Sequence, residues 1–139
     1  MVRRLALLLI VIAVALRIHE VYRGPSRVPA HVAQHVVIVG DSVARGLGAH
    51  LAGVVNLGID GARTYTVRAR FDGMRSALRD ADAIVMSIGG NDLFGDSMAR
   101  TASMLMPDLA MRVASSRVDR LVRTIRRENA HARIYLLGL

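Results

Sequence analysis

Four short runs of β-branched and aliphatic residues punctuate the chain: Val36-Val37-Ile38-Val39, Val54-Val55-Asn56, Ala83-Ile84-Val85-Met86-Ser87-Ile88 and Ile134 to Leu137. The first and third are apolar almost without interruption, the pattern of strands buried on both faces. Between the runs, apolar residues recur at helical spacing. Val43 to Leu51 is weakly helical, because Gly46 and Gly48 interrupt it. Val67 to Arg79 reads as one helix with Phe71, Met74 and Leu78 on a single face. Val113 to Arg127 is amphipathic, with a stripe of Val118, Leu121, Val122 and Ile125. Strands alternating with helices predict βαβ units, hence an α/β fold: a three-layer α/β/α sandwich around a parallel sheet.

The N-terminal pattern is different. Met1-Val2-Arg3-Arg4 is a short basic leader, and Leu5 to Leu16 is uninterrupted apolar sequence closed by Arg17. That is the pattern of a secretory signal, though an uncleaved membrane anchor that draws in Ile18 fits nearly as well. Residues 1–19 are therefore read as signal peptide or anchor. The two N-terminal arginines would stay in the cytoplasm and the rest would lie outside. Residues 20–34 read as a tether, because Gly24-Pro25-Ser26 and Val28-Pro29 break regular structure. Residues 35–139 form the domain.

Composition narrows the chemistry. The chain of 139 residues is 53% apolar, enough for one packed core. It has no Cys, which excludes disulfides, thiolate metal sites and a thiol nucleophile. Aromatic residues are 4% of the chain, with no Trp, which argues against a base-stacking platform. Net charge is +8 and every Lys or Arg position is Arg, a bias more of genome composition than of 19 functional guanidinium groups. The charge is read first as a solvated surface, and second as affinity for an anionic membrane or cell-wall polymer. The arginine-rich stretch from Arg112 to Arg127 does not suggest nucleic acid. Its apolar face is needed by the sheet, and Asp119 and Arg123 pair at i,i+4.

In a parallel sheet, function gathers at the carboxyl ends of the strands. Three motifs fall there in order: Gly40-Asp41-Ser42, then Asn56-Leu57-Gly58-Ile59-Asp60-Gly61, then Gly89-Gly90-Asn91-Asp92. Ser42 opens a helix, where free backbone N–H groups point at the same spot as its hydroxyl. Gly61 lacks a Cβ and lets backbone approach a ligand. Asn91 carries a neutral amide donor. Asp41 and Asp92 are read as carboxylates that accept backbone N–H groups and fix their loops. Gly40 to Gly48 does not spell G-x-G-x-x-G, which weakens a dinucleotide-binding reading.

From about Val36 to Leu139 these motifs resemble the GDSL-type, or SGNH, serine acyl-hydrolases, with the closest likeness to membrane-tethered bacterial lipase/acylhydrolase-like proteins. The resemblance implies a flavodoxin-like sheet, here truncated after its fourth strand, and a Ser42 nucleophile. It implies an oxyanion hole from the N–H groups of Ser42 and Gly61 and the Asn91 amide, supported by Gly40, Asp41, Gly89 and Asp92. It implies hydrolysis of an ester with no metal or organic cofactor, the substrate being a small molecule, lipid or glycan ester. No nucleic-acid partner is implied. The other reading is a membrane-tethered binding domain that keeps the pocket without turnover.

The family's Asp-x-x-His is not found. The histidines are His19, His31, His35, His50 and His131. Glu128-Asn129-Ala130-His131 imitates the motif but precedes the fourth strand, so it is expected at the opposite edge from Ser42. The missing dyad and the bare apolar ending suggest a fragment of a longer enzyme or, less directly, a protein that has lost its dyad. Leu93 to Met111, with Met98, Met104, Met106 and Met111, reads either as packing under a loop or as an adaptable apolar wall for an acyl chain. Arg45 and Arg63 flank the motifs and are expected to face solvent.

Overall fold

β-branched residues at successive positions favour extended backbone, and each of the four runs forms a strand. The computed structural model of the chain describes residues 34–137. The leader or anchor read over residues 1–19, and all of the tether but Gln34, lie outside the described residues. The strands β1 (Val36–Gly40), β2 (Val54–Gly58), β3 (Ala83–Ser87) and β4 (Arg133–Leu136) form one all-parallel sheet in the order β2-β1-β3-β4. Gly40 is level with Gly58 on one side and Ser87 on the other. The chain therefore leaves β1, β2 and β3 at a common edge. The winding direction reverses between β1 and β3, which makes that gap the topological switch point where open α/β sheets bind ligands.

Helices α1 (Ser42–His50), α2 (Thr64–Ala69), α3 (Phe71–Arg79), α4 (Gly90–Phe94), α5 (Ser97–Leu105) and α6 (Pro107–Glu128) complete the described fold. Alternation along the strands divides the core. Val37 and Val39 of β1 and Ile84 and Met86 of β3 pack against Val67 of α2, Phe71, Met74 and Leu78 of α3, and Val118, Leu121 and Ile125 of α6. Ile38 is fully buried on the other face, where α1 lies against β1 and β2 and contributes Ala44 and Gly48. Helices on both faces of a parallel sheet make the three-layer α/β/α sandwich. The edge strands are wetter: Tyr135 and Leu136 of β4 are about half exposed. Among the described residues no helix is long and apolar enough to cross a membrane.

Three elements depart from their expected form. The single helix read over Val67 to Arg79 is two helices that share Arg70 as the C-cap of α2 and the N-cap of α3. The break lets Val67 and the Phe71, Met74, Leu78 face all reach the core. The long amphipathic helix starts earlier than its stripe, at Pro107, whose fixed φ and missing N–H suit a first turn. The methionine-rich segment is helical rather than loop, but α5 buries none of its residues.

Asn129 closes the opposite edge of the sheet. Its buried amide nitrogen lies within 3.0 Å of the Leu78 and Arg79 carbonyls and 2.8 Å from that of Ala81. Its side-chain oxygen accepts from the N–H groups of His131, at 3.0 Å, and Ala132, at 2.8 Å. One side chain thus joins the ends of α3 and α6 to the start of β4. Replacing it with Ala would leave several buried backbone groups unpaired. We expect Asn129→Ala to lower unfolding free energy by about 3 kcal/mol in urea titration; a loss under about 0.5 kcal/mol would contradict this role.

Candidate active site

The first motif turns where β1 meets β3. The Asp41 N–H donates to the Ser87 carbonyl at 2.9 Å, and the Ile59 N–H donates to the Gly40 carbonyl at the same distance. Gly40 sits at φ 139°, and a Cβ built there would lie 2.7 Å from the Ser87 carbonyl carbon and closer still to its oxygen. Only glycine fits this crossing. Buried Asp41 then caps α1 by accepting the Val43 N–H at 3.0 Å, the Asx cap that starts helices. Ser42 is the first residue of α1 and is exposed to solvent.

The second and third motifs meet each other at the same sheet edge. Gly61, exposed at φ 67°, follows β2 with open space where a Cβ would stand. Asn56, at the head of that motif, donates to the Arg45 carbonyl and accepts from the Gly58 N–H, both at 3.0 Å, and so ties α1 to β2. Asn91 lies in the first turn of α4, whose N-cap Gly89 is left-handed at φ 111°. Its Nδ2 donates to the Ala62 carbonyl at 3.0 Å. An amide nitrogen carries two N–H groups; one ties Asn91 to Ala62, next to Gly61 in the chain, and among the described residues the nitrogen makes no second hydrogen bond.

Asp92 is the strongest organising group, and its partners are the residues that sequence reasoning missed. Its side chain is 1% exposed. It accepts the Thr64 N–H at 2.9 Å and the Thr64 hydroxyl at 2.8 Å, and meets Arg117 Nη1 of α6 at 3.2 Å. Charged acceptors make the stronger hydrogen bonds, so this carboxylate clamps the loop that carries Gly61. Arg117 left one signal in the sequence: a charge three residues after buried Ala114 and four before buried Leu121, on the apolar face of α6. Thr64 left none.

Arg63 is not a free surface charge, contrary to expectation. It pairs with Asp96, which also caps α5 by accepting the Ala99 N–H at 2.7 Å. The Ala99 N–H, and then Arg63, hold the Asp96 carboxyl below its ordinary range, while Asp96 holds the Arg63 guanidinium above its own. Arg45 pairs with Asp60. On α6, Asp119 and Arg123 form the anticipated pair at 2.6 Å.

The methionines do not pack under a loop. Met98 is 82% exposed, and Met104, Met106 and Met111 are also exposed. A groove of about 370 Å³ opens between α5 and α6, walled by Met98, Ala102, Met106, Leu109, Ala110 and Val113. Arg63, Asp92, Asp96 and Arg117 line the same groove.

The histidines lie elsewhere. His131 precedes β4 and His35 precedes β1, at the edge opposite Ser42, and His35 Nδ1 is 3.8 Å from Asp82. His50 ends α1, about 12 Å along the helix from Ser42 at about 1.5 Å per residue. Its Nδ1 is 2.8 Å from the Gly46 carbonyl oxygen. His19 and His31 lie outside the described residues. Among the described residues, no three His, Asp or Glu side chains converge as metal ligands.

Three parallel strands thus deliver a helix-capped serine, a left-handed glycine and an anchored amide to one sheet edge. Comparison with curated proteins gives no significant match. A family model does match, over residues 28–139, which takes in the whole described sheet and all three motifs. The chain belongs to the GDSL-like Lipase/Acylhydrolase family, a family of ester hydrolases.

Proposed function

We propose that the domain hydrolyses carboxylic esters through a Ser42 acyl-enzyme. Ser42 Oγ attacks the ester carbonyl carbon as its proton passes to a base. The tetrahedral oxyanion is held by the N–H groups of Ser42 and Gly61 and the second N–H of Asn91 Nδ2. Collapse expels the alcohol with a proton, and water then hydrolyses the acyl-serine to a carboxylic acid. The observation that carries this reading is the bond from Asn91 Nδ2 to the Ala62 carbonyl. It fixes a neutral donor beside the Gly61 loop before any substrate arrives, and donors held ready in this way lower the barrier to acyl transfer more than any other single device. The N-terminal pattern supports an exported domain, anchored to the membrane or secreted, that acts outside the cytoplasm.

A second reading, a binding domain without turnover, is favoured by one observation. Among the described residues, no histidine stands at the Ser42 edge. A fluorophosphonate separates the two, since it reacts covalently only with an activated serine. We expect an adduct mapped to Ser42 and abolished in Ser42→Ala. With Asn91→Ala the labelling rate should fall by about 10²–10³. No adduct, under conditions that label a known serine esterase fully, would overturn the hydrolase reading in favour of the second.

A further inference from the structure

The excess positive charge of the domain sits on one segment. Ser97 to Glu128, which spans α5 and α6, holds seven Arg and three acidic residues, whereas the rest of residues 34–137 holds seven of each and is balanced. Along α6, about 100° per residue places Leu109, Arg112, Arg120, Arg123 and Arg127 within about 80° of arc. That arc lies opposite the buried Ala114, Val118, Leu121 and Ile125, so it faces solvent. Arg123 is paired with Asp119. Among the described residues, Arg112, Arg120 and Arg127 have no ion-pair partner, and neither has Arg100 of α5.

This cationic line runs into an apolar end. Leu109 lies in the same arc and walls the groove together with Met98 and Met106, while Met104 and Leu105 close by in α5 are also exposed. A monomeric domain leaves so many large apolar side chains in water mainly where they meet a partner. Charge and apolarity together select that partner. A second copy, joined through the same face about a twofold axis, would set the arginines against one another. A nucleic acid would engage the arginines but leave the methionine and leucine side chains uncovered. A bilayer surface rich in acidic lipids answers both, because phosphates take the guanidinium groups and the acyl boundary takes the apolar ones. Arginine stems lie along apolar surface while their charged ends stay among headgroups.

We propose that the α5–α6 face docks on an anionic lipid surface, with α6 lying along the headgroups and Met98, Met106 and Leu109 inserted beneath them. The proposal is independent of the Ser42 chemistry. It is also separate from the anchoring read over residues 1–19, which would hold the chain near a bilayer without choosing a face. The test therefore reports on the face itself, in the full chain. Because the chain has no Cys, Leu109→Cys gives a single attachment point for an environment-sensitive nitrobenzoxadiazole dye. Gly46→Cys is the control: it is exposed on α1, in the layer across the sheet from α6, with open space for a Cβ.

The probes are vesicles of phosphatidylcholine alone and of phosphatidylcholine mixed equally with phosphatidylglycerol. We expect the dye at Leu109 to brighten and shift to the blue on the anionic vesicles only, and the dye at Gly46 to stay unchanged on both. Each of Arg112→Gln, Arg120→Gln and Arg127→Gln should weaken the anionic binding about fivefold. Salt should reverse it without any arginine substitution, since the screening length falls from about 10 Å at 0.1 M to about 3 Å at 1 M. A Leu109 dye that responds equally to both vesicles, or to neither, overturns the proposal. So does a Gly46 dye that responds alike, or binding indifferent to the arginine substitutions and to salt. A Leu109 signal that rises with protein concentration in the absence of lipid would show a second copy on this face and overturn it too.

Discussion

Gly40→Ala is expected to abolish cooperative folding of the domain. The added methyl would overlap the Ser87 carbonyl, and its φ of 139° is a conformation that alanine rarely adopts. Relief requires β1 to move away from β3, and that breaks the bond from the Asp41 N–H to the Ser87 carbonyl. It would also disturb the cap that starts α1. The two central strands carry Val37, Ile38, Val39, Ile84 and Met86, all nearly or fully buried, so the damage reaches the core on both faces. We expect a loss of about 4 kcal/mol or more, against a total of about 5–15 kcal/mol for a typical domain. Circular dichroism during heating would show a broad, early transition or none. Gly46→Ala is the control with the opposite sign. Gly46 lies inside α1 with open space where a Cβ would stand, and Ala in a helix interior gains up to about 1 kcal/mol over Gly. A Gly40→Ala protein that melts like the unaltered chain would refute the crossing geometry.

Asp92→Ala is expected to act on structure and chemistry together. It leaves the Thr64 N–H and hydroxyl without their acceptor and removes the anionic partner of Arg117. Because Arg117 is 46% exposed, water compensates for much of its lost pairing. The buried Thr64 groups are not so compensated. Together these losses amount to about 2–3 kcal/mol in urea titration. Asp92→Asn preserves the shape and one acceptor, and should recover about half of the deficit. The local signature is hydrogen exchange at the Thr64 amide, which should accelerate more than the fall in global stability explains. If Asp92→Ala leaves both stability and the Thr64 amide unchanged, Asp92 does not clamp the loop.

Much of this was legible in the sequence because a parallel sheet writes itself as contiguous apolar runs. Val36 to Val39 and Ala83 to Ile88 needed no context to read as buried strands. The α6 stripe was equally plain, and Val118, Leu121 and Ile125 are buried as its spacing required. The break at Arg70 was not legible, since neither Pro nor Gly marks it and only tertiary packing rewards it. The helices between Asn91 and Pro107 were obscured because α5 buries nothing and so carries no periodic signal. At the site, strand-end position alone brought Ser42, Gly61 and Asn91 to one edge. The contacts that hold them there join residues far apart in sequence: Asn91 to Ala62, Asp92 to Thr64 and to Arg117, Arg63 to Asp96. No local pattern encodes such pairs.

The exposed sulfur atoms on α5 and the start of α6 give this face a chemical vulnerability. Thioethers at Met98, Met104, Met106 and Met111 stand in solvent, where peroxides convert them to sulfoxides. Each conversion sets a polar, chiral group where an adaptable apolar one had been, and Met98 and Met106 line the groove itself. Oxidative stress would therefore make this face polar long before it touched the sheet, and methionine sulfoxide reductases would restore it.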